Sequence, residues 1–139
     1  MNRAQQHGAA LRRSLGLRGR IDAEAVAARM GLEVRSWPLR VLREFQLDGT
    51  VVVAERLTPE WRRWVIAHAI GHRLLHPGNH RWLRTHTDLT VGYEREAEDF
   101  AQALLVDEAE ARDEGLVHSW ELAEHFGVPD ELVKQSHNM

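Results

Sequence analysis

Apolar and polar positions along the chain switch between two periods, and the switches mark the elements. Residues 4–15 have helical spacing and stop near Gly16. Asp22 is placed to cap a second helix that carries Val26, Ala27 and Met30 on one face, with Gly31 at its C-terminal stop. From Leu32 to Trp37 the period drops to two, which predicts a strand broken by Pro38. Residues 41–47 are a second candidate strand. Asp48-Gly49 is a hairpin turn signal, and Thr50 to Ala54 supply a third strand. The expected product is a small, mostly antiparallel three-stranded sheet.

The next boundary is the clearest in the chain. Thr58-Pro59-Glu60 combines a hydroxyl cap, a proline at the first helical position and an acid in the first turn. Helical character then runs over 59–76 and ends at Pro77-Gly78. Residues 77–91, rich in Pro, Gly, His, Asn and Thr, are the longest expected irregular piece. A further helix is expected over 92–106, then short ones at 108–113, 119–126 and 130–136, with Ser119 as a cap and Gly127 as a stop. Strands followed by helices give an α+β fold of one domain over residues 1–139.

Composition narrows the chemistry. The chain has 139 residues, 43% hydrophobic and 28% charged, the balance of a globular domain. It has no cysteine and nine histidines. A disulfide scaffold, a cysteine-ligated zinc ribbon, a thiol nucleophile and a redox pair are therefore excluded. Any metal must be held by His, Asp or Glu. No apolar run approaches the ~18 residues of a membrane span, and the first residues lack a secretory core, so the expected location is cytoplasmic. The first twenty residues hold five Arg and no acid, which faintly resembles a transit peptide but reads better as a basic first helix. Residues 94–114 hold nine acids against two Arg. These oppositely charged segments either pack together or face different partners. The formal net charge of −3 gives no global attraction to nucleic acid.

The histidines have one informative spacing. His68 and His72 are four apart on the 59–76 helix, so both imidazoles leave one face a turn apart, and His76 follows on the same side. Such a pair can hold one zinc ion, or can be a hydrogen-bonded core or surface pair. Ile66, Ile70 and Leu74 form an apolar stripe, and Trp61, Trp64, Val65 and Leu75 extend it toward the histidine face, the pattern of a buried helix. Gly71 beside the pair leaves room above a metal. A third ligand is available in the later helix, where Glu94, Ala97, Glu98 and Ala101 share a face and Phe100 and Leu104 form an adjacent apolar stripe. Glu94 can complete a His, His, Glu site, and Glu98 can orient a ligating histidine. The alternative is that this acidic run is a solvated face.

Together these residues carry a resemblance. Trp64-Val-Ile-Ala-His68-Ala-Ile-Gly-His72-Arg-Leu-Leu-His76, followed by Glu94-Arg-Glu-Ala97-Glu-Asp-Phe100-Ala101-Gln-Ala-Leu104-Leu105-Val106, is similar to the ImmA/IrrE family of metallopeptidases. Typical members carry H-E-L-G-H-x-L-L-H and then E-x-x-A-[N/D]-x-F-A-x-x-L-L-M-P. Gly31 to Val34, the glycine-centred hairpin and the Leu122 to Pro129 segment also fit, so the likeness covers roughly residues 20–135. It implies a zincin-like fold with the small sheet packed on helices. It also implies Zn²⁺, or another divalent metal, held by His68, His72 and Glu94, with Glu96 as the fallback ligand. Glu98, Glu96, His76 and Tyr93 are its supporting residues. Family members typically cleave helix-turn-helix repressors of the Xre type and so relieve transcriptional repression in mobile-element or stress-response circuits.

One position breaks the motif. Where the family has the second residue of H-E-x-x-H, this chain has Ala69. In such sites that glutamate takes a proton from the attacking water and passes it to the leaving amine, and it is not a ligand. The substitution therefore implies a metal site without its general base. Ala69 is consistent with deliberate inactivation and with a natural pseudo-peptidase or a subfamily using another base, for which Glu96, Glu98 and His76 are candidates. Asp107, where the family usually has proline, can still cap the following helix. Tyr93 is either an oxyanion donor or a half-buried anchor. His80 and His86 fall in the expected loop, where His80 is either a peptide or metal contact or an exposed residue. His118 and His125 carry no spacing argument.

Three functional readings follow. The first is a zinc endopeptidase fold directed at a repressor and lacking its base. The second is a non-catalytic zinc-binding regulator that grips a repressor or other partner without cutting it. The third is a small DNA-binding module, because residues 122–133 echo a helix-turn-helix; the net acidity of 119–139 argues against phosphate contact.

Overall fold

The computed structural model describes residues 1–76 and 87–137. Local signals start most of its elements. Helix α1 (Arg3–Ser14) opens on a reciprocal cap: the Asn2 side chain accepts the Gln5 N–H, and the Gln5 side chain accepts the Asn2 N–H. Helix α2 (Ala23–Arg29) is capped by Asp22, whose carboxylate accepts the Ala25 N–H. Three strands follow at the expected places: β1 (Glu33–Trp37), β2 (Glu44–Leu47) and β3 (Thr50–Ala54). Asp48 and Gly49 join β2 to β3 with φ of 37° and 84°, the two positive values that a two-residue hairpin turn of matching twist requires.

The sheet is mixed rather than mostly antiparallel. Its order is β1-β3-β2, with β3 antiparallel to β2 and parallel to β1. Period-two alternation predicts strands but not neighbours. Here residues 38–43 carry the chain past β1, and the hairpin folds β3 back into the centre. Arg56 holds that crossing, donating to the carbonyls of Leu39, Val41 and Leu42. Glu44 pairs with Val53 and Gln46 with Val51. Since Val51 and Val53 are fully buried, Glu44 and Gln46 lie on the inner face of the sheet, and Phe45 and Leu47 on the outer one.

Helix α3 (Pro59–Leu75) starts at the Thr58 cap, whose hydroxyl accepts the Trp61 N–H. Ile66 and Ile70 of its apolar stripe are buried, whereas Leu74 is 42% exposed. Helix α4 (Thr87–Leu105) begins five residues earlier than the expected start at 92. Its first turn holds the β-branched Thr87, Thr90 and Val91, which lower helix propensity only slightly but read as loop by composition. The expected irregular residues 77–86, with His80 and His86, lie outside the described residues. Helix α5 (Glu108–Asp113) is capped by Asp107, which accepts the N–H groups of Ala109 and Glu110. In α6 (Ser119–Phe126) the cap is not Ser119. The cap position is His118, and the Glu121 carboxylate reaches back to the His118 and Val117 N–H groups, displacing the serine from that task. Gly127 ends α6 with φ of +66°, and α7 (Asp130–His137) follows.

Helix α4 packs against both α1 and α3, and α3 covers the inner face of the sheet. Phe100, Leu104, Ile66, Ile70, Leu122 and Phe126 are at or near zero exposure in the resulting core. The oppositely charged segments pack together. Arg12 of α1 is 2% exposed and donates to the Leu104, Leu105 and Gly19 carbonyls and to Glu110. No helix among the described residues is long and apolar enough to cross a membrane.

Candidate metal centre

Two helices bring three side chains to one point. His68 and His72 leave α3 one turn apart with their rings edge to face, centroids 4.7 Å apart. Glu94 comes from the opposing face of α4. Its Oε2 lies 3.0 Å from His68 Nε2, and its Oε1 lies 2.7 Å from His72 Nε2. One ligand atom from each of the three lies within 4.8 Å of the others. The His72 side chain is 7% exposed and that of His68 12%, while that of Glu94 is 46% exposed, so the point is walled by α3 and open to solvent beside the carboxylate.

The electrostatics bind this trio. Burial opposes ionisation of Glu94, but the close approach and charge of His68 and His72 outweigh it and hold the carboxyl well below the usual range. Burial likewise disfavours charge on His68, and the Glu94 carboxylate overcomes it and raises the imidazole. Even so, His68 Nε2 is buried without a well-directed hydrogen bond, although Glu94 is 3.0 Å away. Two imidazole nitrogens and a carboxylate are a zinc donor set, and ligand atoms at about 2.0–2.1 Å from one tetrahedral ion stand roughly 3.3 Å apart. The residues present therefore fit a zinc ion.

The surrounding residues divide. His76 is 3% exposed; its Nδ1 lies 3.3 Å from His72 Nδ1, and its Nε2 lies 3.6 Å from Glu96. Tyr93 is half-buried with its ring against that of His76, centroids 4.0 Å apart. Glu96 thus meets His76 and not the His68–His72 pair. Glu98 is exposed and acts on His68 through its charge. Gly71 does not open space above the site. A methyl group there would press on Ala97 and Phe100, so this glycine lets α3 and α4 approach closely. Ala69 is 1% exposed, and its carbonyl accepts a hydrogen bond from Gln46 of β2. Beside it, Glu44 Oε1 lies 3.8 Å from His68 Nδ1. Alternation along 44–47 does not reveal Glu44, because the polar residues of this strand, against the usual rule, face inward.

His125 also acquires a partner, with Nε2 2.7 Å from the buried Glu110 carboxylate, and His118 stacks on Trp120.

Comparison with known proteins gives the family and the fold. The model of the IrrE N-terminal-like domain, a peptidase family, matches residues 23–136. The chain belongs to this family. The IrrE-like match includes both helices of the trio and the whole sheet. A solved Mycobacterium tuberculosis transcriptional regulator shares the fold, with a TM-score of 0.70 at 19% identity, covering 96% of this chain and 46% of that protein. This chain therefore spans about half the length of that regulator. No curated protein sequence matches it.

Proposed function

We propose that this IrrE-like domain holds one Zn²⁺ through His68, His72 and Glu94 and acts on a helix-turn-helix transcriptional repressor in the cytoplasm, without cleaving it efficiently in its present sequence. The observation that supports this reading is the convergence of the Glu94 carboxylate on the Nε2 atoms of both histidines beside an alanine. Zinc held there supplies a Lewis acid for a peptide carbonyl and lowers the pKa of water. The chain's own residues do the rest. His68 and His72 present neutral ring nitrogens from a rigid helix, and Glu94 closes the third side while leaving the solvent face open to an extended peptide. What is missing is a carboxylate that receives the proton from water and delivers it to the leaving amine. Ala69 carries no such group. Loss of a positioned acid/base lowers rate by about 10²–10⁴-fold.

The test has two stages. Metal analysis of the purified chain is expected to give about one zinc per molecule; a metal-free protein that also fails to take up added zinc overturns the reading. Ala69→Glu is then assayed on a repressor that binds the chain. Gained cleavage identifies a peptidase silenced at one position. Binding without cleavage identifies a regulator that grips its partner, the second reading.

A further inference from the structure

We propose that Glu44 is a positioning residue of the metal centre: its carboxylate accepts a hydrogen bond from the His68 Nδ1–H and so fixes the ring with Nε2 turned toward the ion. This rests on the zinc reading above. The starting observation is a broken pattern. Along Glu44-Phe45-Gln46-Leu47 the hydrophobic rule would turn Phe45 and Leu47 inward. The register instead sets Glu44 beside Val53 and Gln46 beside Val51 on the covered face, and leaves Leu47 55% exposed. A sheet that turns its carboxylate inward and its leucine outward departs from local consistency, and such departures concentrate at functional sites.

The inward carboxylate has a defined target. Glu44 Oε1 lies 3.8 Å from His68 Nδ1, while Nε2 of the same ring lies 3.0 Å from Glu94. A neutral imidazole has one N–H and one lone pair, and the lone pair belongs to the ligating nitrogen. With Nε2 among the ligand atoms, the proton resides on Nδ1, facing Glu44. At 3.8 Å the two atoms stand just beyond direct hydrogen-bond length, and a small rotation of the Glu44 side chain closes the gap without moving the ring. Glu44 meets the nitrogen turned away from Glu94, so it does not stand in for the carboxylate absent at position 69. The Glu44 side chain is 25% exposed, and His68 Nδ1 is the ring nitrogen it faces. An inward charge on an edge strand also discourages pairing with other chains. That role predicts no effect on metal affinity.

The experiment measures zinc affinity of the full chain by competition with a chromophoric chelator, for the parent, Glu44→Ala, Glu44→Gln and His68→Ala. It is paired with ¹⁵N NMR of the histidine rings in the zinc form. Loss of a carboxylate partner of a ligating histidine typically lowers affinity about 10–100-fold, which is the expected result for Glu44→Ala. Glu44→Gln keeps a neutral acceptor and falls between it and the parent. The His68 Nδ1–H resonance, protected in the parent, is expected to exchange rapidly in Glu44→Ala. If the parent binds zinc, His68→Ala does not, and both Glu44 variants bind like the parent with the His68 resonance unchanged, the inference is wrong while the zinc reading stands. If the parent binds no zinc, both fall. Should Glu44→Ala lose its fold, the isosteric Glu44→Gln decides by the same two readouts.

Discussion

Gly71 of α3 lies so close to Ala97 of α4 that a methyl group at position 71 would stand 3.1 Å from the Ala97 carbonyl oxygen and 3.2 Å from its Cα. Phe100 closes the third side at 3.1 Å. The contact sits next to the metal centre in both helices, since His72 follows Gly71 and Glu94 lies one turn before Ala97. The close approach sets the helix separation that puts Glu94 2.7 Å from His72. Gly71→Ala gains roughly 1 kcal/mol of helix propensity but overpacks the contact at about 1–3 kcal/mol. Two of its three neighbours are backbone atoms that cannot rotate away, so overpacking wins. The expected outcome is a net loss on the order of 1 kcal/mol in urea unfolding together with weaker zinc binding. Gly8→Ala should be worse, because its methyl group would overlap the Phe100 carbonyl oxygen between α1 and α4. A Gly71→Ala protein with raised stability and unchanged zinc affinity would contradict this account.

Arg12 and Glu110 form a buried ion pair, 3.2 Å apart with side chains 2% and 3% exposed. Removing one member leaves an uncompensated buried charge, which costs about 3–5 kcal/mol, whereas replacing both with apolar residues of similar volume is expected to be milder. Arg12→Met should therefore lower the urea midpoint sharply, and adding Glu110→Met should recover only the share owed to the unpaired carboxylate, because the Leu104, Leu105 and Gly19 carbonyls lose their Arg12 donor in both variants. Burial opposes ionisation of Glu110, but hydrogen bonds from His125, the Gly19 N–H and Arg12 hold its carboxyl below the ordinary range. The sign follows. The stability that ionised Glu110 contributes is complete above its ordinary value of 4.5 and is lost as pH falls through the lower folded value. Glu110→Gln should flatten that acid-side loss in stability measured against pH.

Local signals in the sequence were enough for Asp22, Thr58-Pro59 and Asp48-Gly49, because caps and tight turns involve only residues a few positions apart. The same holds for His68 and His72, which one helical turn aligns, and for Glu94 once the second helix is read with the first. Contacts between distant segments were not legible. The insertion of β3 between β1 and β2, with Arg56 bonded to the crossing, joins distant segments, and no periodicity encodes it. Glu44 lies twenty-four residues before His68, and its alternation points to the wrong face. Gly71 reads as space in the sequence and as helix contact in the structure. The pairing of His125 with Glu110 needs α5 and α6 already folded together.

The metal-free protein should lose stability as pH rises. Burial disfavours charge on His68, yet Glu94 overcomes it and raises the imidazole above its ordinary value of 6.5. A raised folded value means that the contribution is fully present below pH 6.5 and is lost as pH climbs through the folded value. Zinc reverses the trend, because its ligand nitrogens must be deprotonated, so affinity grows with pH. Thermal midpoints across this range, with chelator and with excess zinc, should therefore diverge as pH increases. His68→Gln should remove both slopes. Parallel curves with and without zinc would count against His68 as a ligand.

The identity of the third ligand can be separated from its neighbour by two conservative changes. The Glu94 oxygens lie 3.0 and 2.7 Å from the two Nε2 atoms, whereas Glu96 lies 3.6 Å from His76 Nε2. If His72 uses Nε2 for the ion, its Nδ1–H points to His76 Nδ1 at 3.3 Å, which leaves the His76 Nε2–H toward Glu96. Glu96 then acts two residues removed from the metal. Glu96→Gln should lower zinc affinity by no more than the roughly 10–100-fold typical of outer partners, and Glu94→Gln should lower it further by deleting a charged ligand. Cobalt substitution adds a second readout, since loss of a ligand changes the visible spectrum and loss of an outer hydrogen bond leaves its form intact. A larger loss in Glu96→Gln than in Glu94→Gln, with the cobalt spectrum altered only in the former, would move the third ligand to Glu96.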